Sequence, residues 1–326
     1  MAQKCLPAVL YKLGLICPLS IELTAMRNML DEEHRPPFLE GSGDKDSNSY
    51  VCGEIFGINV VIASLPSGST GTGAAAHLVN SMSTTFPKVE LRLLVGIGGG
   101  VPTEEHDIRL GDVVVSEQCD GYPGVVKYDL GARTVEGFVA RGCLELPPTK
   151  FTKNVTKMKS DHETRSNKIS KYIDDMLEKV PALKQHYSRR SSELDILFRS
   201  DYRHEGKKNT CERCEKSKMT DRPRRTTESP MVHYGLIASG DLVMKDGEER
   251  DRISASLRGS GPLCFEMEAG GATIYEKCLV IRGISDYADS HKNDEWQRYA
   301  ASAAAGLAKE LIYYLSEDKG MKGVLY

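Results

Sequence analysis

Short apolar runs alternate with helical patterns along most of this chain, and that alternation restricts the fold more than any single residue does. "YKLGLIC" (11–17) reads as a strand and "SIELTAMRNML" (20–30) as a helix with Ser20 at its cap. "YVCGEIFGINVVIASLP" (50–66) reads as a hairpin, with "GIN" near its turn, and "GAAAHLVNSMSTTF" (73–86) as a helix. "ELRLLVGIGGG" (90–100) reads as a buried strand ending in a glycine loop, and "GDVVVSE" (111–117) as another strand. The strand pattern returns in "VHYGLIASGD" (232–241), "LCFEMEA" (263–269) and "CLVIRGISDYAD" (278–289), before an Ala-rich helix at 296–315. Strands that alternate with helices indicate an α/β fold with its site at the strand ends.

Between about residues 147 and 230 the pattern breaks into a polar, basic stretch. It reads as a loop-rich insertion holding one amphipathic helix, with Ile169, Ile173 and Leu177 at helical spacing. The expected organisation is one domain over residues 8–318 carrying that insertion. A net charge of −3 gives no general attraction to nucleic acid or to a membrane surface, and the basic runs lack interleaved aromatics for stacking bases. No apolar run approaches the roughly 20 residues that span a bilayer. Lys12 interrupts the apolar N-terminal stretch and no small-residue cleavage site follows it, so a first core strand is expected there. Nine scattered cysteines fit a reducing, cytoplasmic compartment better than a disulfide scaffold.

Three motifs suggest chemistry. "GSTGTGAAA" (68–76) contains Gly71-x-Gly73-x-x-Ala76 between a strand and a helix. No acidic residue for a ribose ends the next strand and no P-loop lysine is present, so the better readings are a turn presenting free amides to a small polar ligand or a tight turn with no ligand. Three glycines end the strand at "GIGGG" (96–100), an entropic cost that close approach of backbone to a ligand would explain. In an extended "FEMEA", Glu266 and Glu268 share one face of an otherwise buried segment. Carboxylates in such a place are paired or used. Arg282, Asp286 and Glu22 end or follow other apolar runs. Separately, "CERC" supplies Cys211 and Cys214, half of a zinc site, with His204 and His233 the nearest residues to complete it in a spacing that matches no standard finger; a pair of solvent-exposed thiols is the other reading, and no metal or cofactor is expected.

Taken together, "FEMEA", "IRGISD" and "GDVVVS" resemble the nucleoside phosphorylase/nucleosidase superfamily. The resemblance covers roughly Tyr11 to Leu315 apart from the insertion. It is nearest to the methylthioadenosine/S-adenosylhomocysteine nucleosidase type and to nucleoside-phosphorylase-like domains of fungal proteins. It implies a three-layer α/β/α sandwich around a mixed, partly barrel-like sheet, with a purine nucleoside bound across the strand ends. It further implies ribose contacts from Met267 and Glu268, Asp286 beside purine N7 with Ser285 supporting it, and Glu22 positioning a nucleophilic water near Arg282. Gly71 and Thr72 would lie near the nucleophile, Gly98 and Gly99 beneath sugar and base, and Val243 near the base. Glu266 would touch ribose or brace the strand.

The superfamily divides by nucleophile. By motif alignment Leu94 and Ile97 stand where phosphorylases carry an arginine and a hydroxyl, and Glu22 replaces a cation in the first loop. A glutamate repels phosphate and accepts a proton from water, so hydrolysis of a purine nucleoside is expected. A phosphate-dependent phosphorylase and a nucleoside-sensing module with little turnover are the alternatives. The resemblance also implies a homodimer or larger homo-oligomer.

Overall fold

The two longest apolar runs become neighbouring strands at the centre of an 11-stranded mixed sheet. A computed structural model describes residues 3–37, 46–135, 137–140, 144–206, 210–274 and 276–318. The strands are β1 (Leu13–Ile16), β2 (Glu32–His34), β3 (Tyr50–Ile55), β4 (Ile58–Ala63), β5 (Leu91–Gly100), β6 (Val113–Ser116) and β7 (Val125–Lys127). They continue as β8 (Gly131–Thr134), β9 (Gly137–Ala140), β10 (Val232–Gly235), β11 (Ile237–Ser239), β12 (Cys264–Glu266) and β13 (Cys278–Asp286). The helices are α1 (Ser20–Asn28), α2 (Thr72–Thr85), α3 (Thr149–Thr164), α4 (Ile169–Lys179), α5 (Lys184–Tyr187), α6 (Gly247–Ser256), α7 (Ala269–Ala272) and α8 (Gln297–Ser316).

The main path runs β10-β6-β13-β5-β1-β4-β3-β2, with β8 and β9 pairing apart. β5 pairs in parallel with β1 and β13, then antiparallel with β12 at its glycine end, Phe265 opposite Gly99 and Cys264 opposite Gly100. The polypeptide switches partners between β10 and β11, so β11 joins β12 to β7 and the sheet curls toward a barrel. Helix α8 packs on β5 and β13 with α1, α3 and α4 around it. α2 covers the opposite face, where only a glycine fits at position 14: a Cβ there would stand 2.6 Å from Met82 Sδ. The fold is thus the α/β sandwich with a mixed, partly barrel-like sheet that the sequence led us to expect. Among the described residues no helix is long and apolar enough to cross a membrane.

Four local expectations need correction. The N-cap of α1 is Leu19, not Ser20, because the Glu22 side chain takes the Leu19 amide. The glycines of "GIGGG" continue β5 rather than forming a loop, since β13 and β12 pair with them. "FEMEA" is extended only to Glu266, whose carboxylate accepts the amides of Glu268 and Ala269 and turns the chain into α7. The first part of the basic stretch is a helix, α3, not loop, and it precedes the amphipathic helix expected around Ile169, Ile173 and Leu177, which is α4. Phe151, Met158, Ile169, Ile173 and Met176 enter the main core from one face while the lysines stay in water.

Candidate active site

A cavity of about 200 Å³ opens where β5, β12 and β13 end, beside the start of α1. Glu22, Gly98, Gly99, Glu266, Met267, Glu268, Ser285 and Asp286 all line it, as do Thr70, Ile97 and Val243. Residues more than 260 positions apart in sequence therefore meet in one place.

Arg282 organises one wall. It is completely buried on β13, and its Nη2 donates to Glu266 and, at 3.2 Å, to Glu268 Oε2. Its Nη1 stands 3.9 Å from Glu22 Oε1 and, like Nε, has no hydrogen-bond partner. Glu22 is held by two amides, Leu19 N at 2.6 Å and Ile97 N at 2.7 Å. A Cβ at Gly96 would fall 2.1 Å from Arg282 Nη1 and 2.5 Å from Glu22 Oε1, so the absent side chain makes room for this pair. Burial pushes the Glu22 carboxyl up to about 7, with Arg282 pulling the other way. Burial likewise raises Glu268 above the ordinary carboxylate value, again opposed by Arg282.

The opposite wall carries Asp286. A register shift in β13 between Ile284 and Asp286 sets its position on the strand, as bulges near sites do. Its Oδ2 accepts from Ser285 Oγ at 2.7 Å and from Lys292 Nζ, and its Oδ1 from the Ala288 amide at 2.9 Å. Gly99 lies under this carboxylate, where a Cβ would come 2.7 Å from Asp286 Oδ1. At Gly98 a Cβ would stand 3.0 Å from the Phe265 carbonyl.

The remaining predicted residues fall into place unevenly. Glu266 lines the cavity, but its oxygens already serve Arg282 and the amides of Glu268 and Ala269. Gly71 adopts φ +93° at the start of α2, and Thr72 gives its amide and hydroxyl to Asp241 at 2.7 and 3.0 Å. Thr70 lines the cavity there, and the Gly71 backbone hydrogen-bonds Glu268 in its wall. Val243 is exposed at the mouth beside Leu242. His233 is remote from the cysteines: it hydrogen-bonds Asp112 at 3.0 Å, whereas His204 does sit with Cys211 and Cys214. Sequence reasoning missed Lys292, whose signal was a lysine six residues past Asp286 in a short polar loop.

One arginine surrounded by three glutamates, opposite an aspartate paired with lysine, belongs to a protein with the fold of nucleoside phosphorylases and nucleosidases. The 5'-methylthioadenosine/S-adenosylhomocysteine nucleosidase of Neisseria meningitidis, in complex with methylthio-immucillin-A, is similar across 93% of this chain and 99% of that one, at TM-score 0.57 and 17% identity. That likeness establishes the superfamily fold which the sequence resemblance implied. A nucleotide-binding leucine-rich repeat (NLR)-like protein of Hyaloscypha variabilis is 38% identical over 306 residues, 94% of this chain but 29% of that one. The chain thus spans less than a third of that relative. The 5'-methylthioadenosine/S-adenosylhomocysteine nucleosidase of Mycobacterium bovis is 31% identical over 91 residues, 26% of this chain and 34% of that protein. No family profile matches the chain.

Proposed function

We propose that this protein is a purine nucleoside N-ribohydrolase, acting as one unit over residues 8–318 and cleaving the N-glycosidic bond of adenosine-, inosine- or guanosine-type nucleosides with water. The observation that carries the reading is the meeting of Glu22, Glu268 and Asp286 around one cavity, from three distant segments. Breaking the bond builds positive charge on the sugar and negative charge on the departing base. Asp286 stands at the base, and its Lys292 partner supplies a proton-bearing group for N7 protonation. Glu268 accepts from the ribose hydroxyls, a contact that strengthens as the sugar becomes cationic. The 3.9 Å gap between Glu22 and Arg282 Nη1 suits a water that donates to the carboxylate and accepts from the guanidinium. Phosphate fits that gap poorly, because Glu22 faces it and Arg282 Nη2 is already committed to two glutamates.

A second reading is favoured by the NLR-like relative, of which this chain matches only a part: a nucleoside-sensing module within a larger protein. One experiment separates these readings and the phosphorylase. The purified protein is incubated with adenosine, inosine, guanosine and methylthioadenosine, with and without phosphate, and the products are chromatographed. Free base without phosphate supports the hydrolase. Base released only with phosphate overturns it in favour of the phosphorylase. Absence of any base, together with thermal stabilisation by nucleoside, identifies the sensor.

A further inference from the structure

His204, Cys211 and Cys214 bring one donor atom each to within 4.8 Å of one another, although no part of the proposed reaction uses them. Both cysteines are free thiols, Cys214 buried and Cys211 half-buried. In a tetrahedral zinc site, Zn–S bonds of about 2.3 Å and Zn–N bonds of about 2.0 Å put the donors roughly 3.3–3.8 Å apart. Closing these three onto one ion therefore needs side-chain adjustments of about 1 Å. His204 Nε2 lies 3.1 Å from the Thr210 carbonyl. Donating there fixes the proton on Nε2 and leaves Nδ1 as a lone-pair donor, as a metal-binding imidazole requires.

A second, independent observation concerns His291, which lies outside that 4.8 Å group but whose ring neighbours that of His204. His291 is only 8% exposed, yet neither ring nitrogen has a hydrogen-bond partner. Its ring lies 5.6 Å from that of His204, edge-on, and stacks on Phe198 at 4.1 Å. Nδ1 stands 3.7 Å from Asp289 Oδ1, and a bond from the other ring nitrogen to a metal ion would remove the cost of leaving that nitrogen buried without a partner.

We propose that His204, Cys211 and Cys214 bind one zinc ion, with His291 as the fourth ligand, and that this ion fastens the polar insertion to the loop following Asp286. Two thiolates and two neutral imidazoles neutralise the dication and complete a closed tetrahedral shell, the composition of a structural rather than a catalytic site. The fastening has a direct consequence for the cavity. His204 N donates to Ser290 Oγ at 3.0 Å, and the residue after His291 is Lys292, the partner of Asp286. Holding His291 holds the backbone that presents Lys292.

The full chain, purified without chelator, should carry one zinc per molecule by elemental mass spectrometry. After removal of the metal by a strong chelator, added cobalt(II) should give thiolate-to-cobalt charge-transfer absorption and the intense visible bands of a tetrahedral site. Cys211→Ser with Cys214→Ser should abolish both signals, and His291→Gln should weaken zinc binding at least tenfold. Hydrogen exchange in residues 287–293 should quicken when the metal is removed. Absence of zinc and of the cobalt bands in the unmodified protein overturns the site, as does a Cys211–Cys214 disulfide in the freshly isolated, alkylated chain. Unchanged affinity and cobalt spectrum in His291→Gln overturns the fourth ligand. If the cysteine variant does not fold, the cobalt spectrum of the unmodified chain still decides.

Discussion

Two groups of buried charge lie on either side of β13, and they are built on opposite accounts of their counter-ions. In the cleft beside α8 and the insertion, three arginines are each paired with an aspartate, although Arg225 Nε has no hydrogen-bond partner. Arg225 takes Asp112 with two bonds of 2.7 Å, Arg222 reaches Asp195 at 3.2 Å, and Arg109 reaches Asp107 at 2.8 Å. Against the burial that would raise it, hydrogen bonds from His233 and Arg225 hold Asp112 below the ordinary carboxylate value. In the cavity one arginine serves three glutamates, and its Nη1 and Nε remain without partners. Matched charge fixes loops in place. Unmatched negative charge in a buried wall is costly at rest; it is relieved by protonation, which is why Glu22 and Glu268 are raised, or by a cation that arrives. A sugar becoming an oxocarbenium ion is such a cation.

The contrast predicts where a mutation shows itself. Asp286→Asn should lower turnover by roughly 10²–10⁴-fold, the range of a lost general acid. Glu268→Gln should cost about 10²–10³-fold, because it removes a charge aligned with the transition state. Steady-state kinetics on both test this half of the comparison. In the cleft, Asp112→Ala should cost about 3–5 kcal/mol of stability, since Arg225 and His233 lose their shared partner. Denaturant unfolding measures that loss, and turnover of the molecules that remain folded should be nearly unchanged. A turnover loss in a folded Asp112→Ala protein as large as that in Asp286→Asn would end the distinction between the two clusters.

Much of the fold was legible in advance, because the apolar runs are long and the helices between them are periodic. β1, β5, β13, α2 and α8 fall close to where the sequence puts them. The misses share a cause: a side chain acting on backbone at short range, which periodicity does not register. The Glu22 carboxylate moved the cap of α1, and the Glu266 carboxylate ended β12 early. The lysine-rich run at 149–164 hid a core-facing helix because its apolar residues are few, although they recur at helical spacing. The acids of the cavity were visible as polar residues closing apolar runs. Lys292 was not, since a lysine in a polar loop looks like any solvated residue until the bulged strand brings Asp286 to it. The cysteine pair was legible, but its second histidine was not, because His291 lies 77 residues beyond Cys214.

The smallest effect is also the one that reads the unmatched charge most directly. Glu22 has a folded-state value of about 7 against an ordinary 4.5, raised by burial. Between those values the folded protein binds more protons than the unfolded chain does. The stability contributed by this group is therefore full below 4.5 and is lost as pH rises through about 7. Activity should run the other way. A Glu22 that accepts a proton from water must be ionised, so turnover should climb through about pH 7 and stand about tenfold below its plateau one unit beneath that point. Glu22→Gln should flatten both curves together: stability no longer declines across that window, and the residual rate no longer climbs. A rising rate limb that persists in Glu22→Gln would assign the titration to another group and remove Glu22 from the water.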